Sequence, residues 1–118
     1  MKILNSRTHG LIDYVFVLIL LGSPILFQLP EKTALFTYVL GSVHLILTVI
    51  TDFKFGLIKL LSFKLHGWIE VIVSFALIGV AFYLKSIEGK LACNFYFGIA
   101  ALVFITWFIT DYSSSESN

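Results

Sequence analysis

A chain of 118 residues that is 58% hydrophobic and 13% charged, with a mean hydropathy of +0.97, falls outside the range of water-soluble domains. Those run at about 45–50% apolar and about 25% charged. The formal net charge of +1 supplies no basic field for nucleic acid, so no nucleic-acid partner is expected and the lipid bilayer remains. The single cysteine, Cys93, lies beside an apolar run and reads as a packing residue rather than half of a disulfide or a redox pair.

Taken in order, the chain opens with Lys2 and Arg7 ahead of an apolar run, the outline of a signal peptide. Asp13 interrupts that run, no small-x-small cleavage site follows, and a similar phrase recurs inside the chain at Lys64, so a retained helix is expected. The first span is expected over residues 10–28, close to the thickness of a bilayer core, with Pro24 loosening the turn at 20–24. LPEKT (29–33) is a turn stopped by Pro30, and the second span covers 34–51 with His44 far from either end. In the next stretch, Lys54, Lys59 and Lys64 recur every five residues among Phe and Leu, which predicts an interfacial amphipathic link over 54–65. The third span is 67–84, KSIEGK (85–90) turns the chain at Gly89, and the fourth span is 91–110. The polar tail 113–118 is expected to be disordered.

Two halves of this chain are copies. His9, Gly10, Ile12, Asp13 and Gly22 match His66, Gly67, Ile69, Glu70 and Gly79, each 57 residues on, and Gly41 matches Gly98 at the same offset. ITDF (50–53) and ITDY (109–112) match at 59. The fold class that follows is all-α: a single membrane domain, 1–118, holding a four-transmembrane-helix bundle of two tandem helical hairpins, 7–53 and 66–112, in the parallel kind of repeat. Lys2, Arg7, Lys54, Lys59 and Lys64 fall on one side, against Lys32, Lys85 and Lys90 on the other, which places both termini in the cytoplasm. Tyr14, Trp68 and Tyr112 fall near the first side and Tyr38, Tyr83 and Tyr96 near the second, as interfacial belts should.

Both His-Gly pairs begin helices and both Thr-Asp pairs end helices on the terminal side. His9, Asp13, Thr51, Asp52, His66, Glu70, Thr110 and Asp111 therefore share one depth. Within each copy histidine and carboxylate stand at i and i+4 on one helical face. Asp13 and Glu70 sit a turn inside the apolar run, where an unpaired charge is costly, so each needs a partner. Asp52 and Asp111 oppose the dipole at the ends of their own helices. Both would be satisfied by accepting from the His-Gly amides that open spans one and three, a structural clasp between the hairpins.

The same groups admit other chemistry. A proton or ion relay would combine them with His44, which stands four residues from Thr48 and whose counterpart in the second copy is Ala101. The plainer role for His44 is a buried histidine bonded to Thr48 or to a helix carbonyl. Imidazole and carboxylate also suit a divalent metal, without the spacing of a strong metal motif. Haem ligation by His9 and His66 is disfavoured by their place near helix starts, and no serine or cysteine stands in a nucleophile context, so no cofactor and no enzymatic activity are expected. The paired glycines read as helix-packing positions.

The phrase HGLIDYVFVLILLGSPILF, the Thr-Asp ending of the second helix, the basic link and the second His-Gly-x-x-acid opening resemble the SPW-repeat family of small bacterial membrane proteins, over roughly residues 7–112. Ser23, Pro24 and Ile25 stand where that family has Ser-Pro-Trp, and Val80, Ala81 and Phe82 stand there in the second copy. The resemblance implies a multi-pass bacterial membrane protein and supplies no catalytic residue. The expected function is a structural or accessory role in the inner membrane without catalysis, with homo-oligomerisation as one form it would take. The alternative is a small proton- or ion-coupled transporter using the cytoplasmic-side His/carboxylate cluster.

Overall fold

A computed structural model describes residues 2–112. The predicted tail lies outside the described residues. Four helices follow one another: α1 (Ser6–Leu26), α2 (Glu31–Val49), α3 (Phe63–Glu88) and α4 (Lys90–Ile109). Each is long and apolar enough to cross a membrane. They pack as two hairpins, α1 against α2 and α3 against α4, in a bundle 45 Å long and 26 by 20 Å across.

The helices begin earlier than the apolar runs suggest, because polar residues start them. The Asn5 side chain accepts from the Thr8 amide and Ser62 accepts from the Leu65 amide, so α1 and α3 open one turn before their His-Gly pairs. Pro30, which needs no donor, precedes α2. α1 passes through Pro24 and stops at Leu26, where Gln28 takes a positive φ of 51°. The turn predicted over 85–90 shrinks to one residue. α3 runs on to Glu88, and Gly89, at φ 97°, reverses the chain directly into α4.

The distribution of polarity is that of a lipid-solvated bundle. Leu18, Ile25, Ile72 and Phe75 are among many large apolar side chains left outside, while Thr33, Thr37, Thr48, Thr51, Thr110, Ser23 and Ser74 are buried. Buried threonines are tolerated because each hydroxyl can bond to a carbonyl one turn back, as Thr37 does to Thr33 and Thr48 to His44. The mid-bundle core is apolar, with Leu20, Leu77, Ala81, Leu84, Ala92, Cys93 and Ile99 around Tyr96.

The ends of the bundle are built differently. Beyond the apolar core, Glu88 closes one end by accepting from the Lys32 and Thr33 amides at 2.8 and 2.6 Å, a carboxylate on the positive end of α2. At the other end the chain closes on itself. Ile3 and Leu4 donate to the Ile109 carbonyl, Asp111 donates back to Leu4, and an isolated bridge joins Leu4 to Thr110. The matching bridge joins Leu61 to Thr51. The end of each hairpin therefore pairs with the residues that open the other, and the link of residues 50–62 is irregular rather than helical.

Candidate functional site

The first two turns of α1 and the first two turns of α3 bring His9, Asp13, His66 and Glu70 together, all buried. The close approach rests on the two glycines beside the histidines. A Cβ on Gly10 would stand 1.8 Å from the Phe53 ring, and one on Gly67 would stand 2.8 Å from the Tyr112 ring. Phe53 and Tyr112 are the last residues of the ITDF and ITDY phrases, so each His-Gly opening is covered by the aromatic that ends its own hairpin. Phe63 adds a third ring, 5.4 Å from His9 and 4.7 Å from Tyr112.

The histidines are held across hairpins. His9 Nδ1 lies 2.8 Å from Thr110 Oγ1, and His66 Nδ1 lies 2.7 Å from Thr51 Oγ1. Each threonine hydroxyl already donates to a carbonyl of its own helix, Thr110 to Thr106 and Thr51 to Leu47. The threonine oxygens must therefore accept, which puts a hydrogen on both Nδ1 atoms and turns both Nε2 atoms inward. There they face the carboxylates. Glu70 Oε1 lies 2.8 Å from His9 Nε2 and 2.6 Å from His66 Nε2, while Asp13 Oδ2 lies 3.2 and 3.0 Å from the same two atoms.

The two carboxylates differ in what else they meet. Tyr112 donates to Glu70 Oε2 at 3.0 Å. Burial, and then the Glu70 charge, push the Tyr112 phenol above its ordinary range, which keeps it a donor. Phe53 has no hydroxyl to offer Asp13. Among the described residues Oδ2 of Asp13 has no hydrogen-bond partner, and neither does His44 Nε2, which lies 3.5 Å from Asp13 Oδ1. Asp13, His44 and Glu70 line a cavity of about 120 Å³ whose other walls include Phe16, Val103 and Thr106.

The expected site residues thus separate. His9, Asp13, His66 and Glu70 converge, and His44 joins them, because the antiparallel course of α2 sets it beside Asp13 rather than mid-bundle. Thr48 is buried nearby, but its hydroxyl goes to the His44 carbonyl and not to the ring. Asp52 is exposed and Asp111 half-buried. The expected clasp through Asp52 and Asp111 gives way to another, because the His9 and His66 amides bond to the carbonyls of Asn5 and Ser62. The clasp runs instead through the preceding residues, Thr51 and Thr110, whose identical place in the two phrases was the available signal.

Tyr112 and Tyr96 also depart from the expected belts. Tyr112 serves the cluster, and Tyr96 is fully buried with its hydroxyl 2.7 Å from Thr37 Oγ1. Gly10, Gly41 and Gly67 stand against neighbouring side chains as packing positions, whereas Gly22, Gly79 and Gly98 face open space. No family model matches the chain, and neither does any curated protein or solved structure.

Proposed function

We propose that this chain is a multi-pass protein of the bacterial inner membrane, both termini in the cytoplasm, with a structural or accessory role rather than a catalytic one. The His/carboxylate cluster is the lock that holds its two hairpins in one register. The observation that carries this is the exchange of partners between hairpins: each histidine is anchored by the threonine of the other copy. The basic residues gathered at the terminal end support the orientation, and the resemblance to the SPW-repeat family supports the bacterial membrane.

A second reading, a proton- or ion-coupled carrier, is favoured by one observation: among the described residues His44 Nε2 and Asp13 Oδ2 lack hydrogen-bond partners, beside a cavity. The apolar packing of Leu20, Leu77 and Leu84 beyond it favours an accessory role over a conduit. Reconstitution into liposomes loaded with a pH-sensitive dye tests the choice. The structural role expects no proton flux from the wild type. Sustained flux that His44→Ala abolishes, with the fold retained, would overturn it. For the orientation, single cysteines placed at positions 2 and 57 are expected to react with an impermeant reagent only from the cytoplasmic face.

A further inference from the structure

We infer that His9, Asp13, His66 and Glu70 form a site for one divalent transition-metal ion of the zinc class, bound through the two histidine Nε2 atoms, Asp13 Oδ2 and Glu70 Oε1. This rests on the cluster being the lock between the hairpins and names the ion that completes it.

Charge comes first. Two carboxylates buried at this depth need two positive charges beside them, and either two added protons or one divalent cation supplies these. Hydrogen bonding distinguishes the two. With protons alone, both Nε2 atoms direct their hydrogens at Glu70 Oε1. Asp13 Oδ2, on a residue only 3% exposed, is left without a hydrogen-bond partner among the described residues although it stands 3.2 and 3.0 Å from the same nitrogens. A cation at the centre of the four atoms satisfies all of them at once.

Geometry agrees. The four ligand atoms lie within 4.8 Å of one another. Tetrahedral zinc, with bonds of about 2.0–2.1 Å, needs ligand atoms roughly 3.3 Å apart. The four nitrogen-to-oxygen separations, 2.6 to 3.2 Å, then have to open by about 0.1 to 0.7 Å. The supporting shell is in place. Thr51 and Thr110 fix both Nδ1–H groups, Tyr112 holds the free oxygen of Glu70, and His44 stands beside the free oxygen of Asp13. Mixed imidazole and carboxylate ligands select zinc-class ions over magnesium and calcium. Loading exchanges one M²⁺ for two protons, so net charge at the site is unchanged.

The test uses the full chain in detergent, stripped with a chelator, then titrated with Zn²⁺ by calorimetry in weak buffer and checked by elemental analysis. One zinc per chain is expected, with two protons released for each ion and no comparable binding of Mg²⁺ or Ca²⁺. Asp13→Asn is expected to abolish stoichiometric binding. Because loss of a buried carboxylate charge can itself disturb the fold, Tyr112→Phe is the second variant, expected to stay folded and bind about 10–100-fold more weakly. Glu88→Gln, at the far end, is expected to bind as the wild type does. A folded wild type that takes up no stoichiometric zinc, or one whose binding both cluster variants leave unchanged, overturns the metal site while leaving the lock intact. If Thr110→Val and Asp13→Asn leave thermal stability untouched, the lock itself fails.

Discussion

The two hairpins share one blueprint and differ where it matters most. Both open with His-Gly one turn after a polar cap, both close with an aromatic over that glycine, and each lends a threonine to the other's histidine. Yet the closing aromatic is Phe53 in the first and Tyr112 in the second, while the first carries His44 where the second has Ala101. Glu70 therefore receives three contacts, from His9, His66 and Tyr112. Asp13 stands 3.2 and 3.0 Å from the same two histidines and 3.5 Å from His44, with no hydroxyl donor in the place of Tyr112. The matching phrases make a near-symmetric frame, and two differences within it leave its carboxylates in unequal surroundings. A pair of similar acids with unlike surroundings can take unlike roles.

The sharpest way to break this comparison is to remove each acid in turn. Taking one partner from a buried ionic cluster costs about 3–5 kcal/mol, so Glu70→Ala is expected to be severely destabilising, and Asp13→Ala less so. Denaturant unfolding in detergent reads both, and a reversed order would refute the inequality. Tyr112→Phe, which strips the hydroxyl from Glu70 and makes the two aromatics alike, is expected to cost about 1.5–3 kcal/mol, as for a hydrogen bond to a charged group.

The same variant carries a pH signature. The folded-state ionisation of Tyr112 lies above the unfolded value near 10. Its contribution is therefore complete below about pH 10 and is lost as pH rises beyond it. Stability curves of wild type and Tyr112→Phe are expected to converge at high pH. Parallel curves would mean that the phenol is not the donor.

Smaller still are the glycine replacements. Gly10→Ala drives a methyl into the Phe53 ring and is expected to cost about 1–3 kcal/mol, with Gly67→Ala costing less because Tyr112 leaves more room. Gly22→Ala and Gly79→Ala, which face open space, are expected to leave the melting temperature unchanged. Equal losses at Gly10 and Gly22 would contradict the placement of the hairpins.

The four helices, the duplication and the gathering of His9, Asp13, His66 and Glu70 were legible in the sequence. Apolar run length, the offset of 57 and the i, i+4 spacing each report local or repeated order. Partnership was not legible. Asp52 and Thr51 sit side by side in ITDF, and charge pointed to the aspartate. The threonine proved to be the link because its short side chain bonds its own helix and still presents an oxygen to His66. The place of His44 beside Asp13 was not legible, because its level depends on how α2 slides along α1, which periodicity within one helix does not encode. Tyr96 and Tyr112 fit an interfacial belt equally well by position. Only packing against Thr37 and Glu70 distinguishes them.

The central claim is that the hairpins exchange partners, and the pair His9 and Thr110, 101 residues apart and 2.8 Å in contact, states it most compactly. A double-mutant cycle with His9→Ala and Thr110→Val, followed by unfolding of the full chain in detergent, measures it. Coupling of about 0.5–3 kcal/mol, the range for residues in contact, is the expected result. Effects that add within about 0.3–0.5 kcal/mol, as for independent sites, would contradict it.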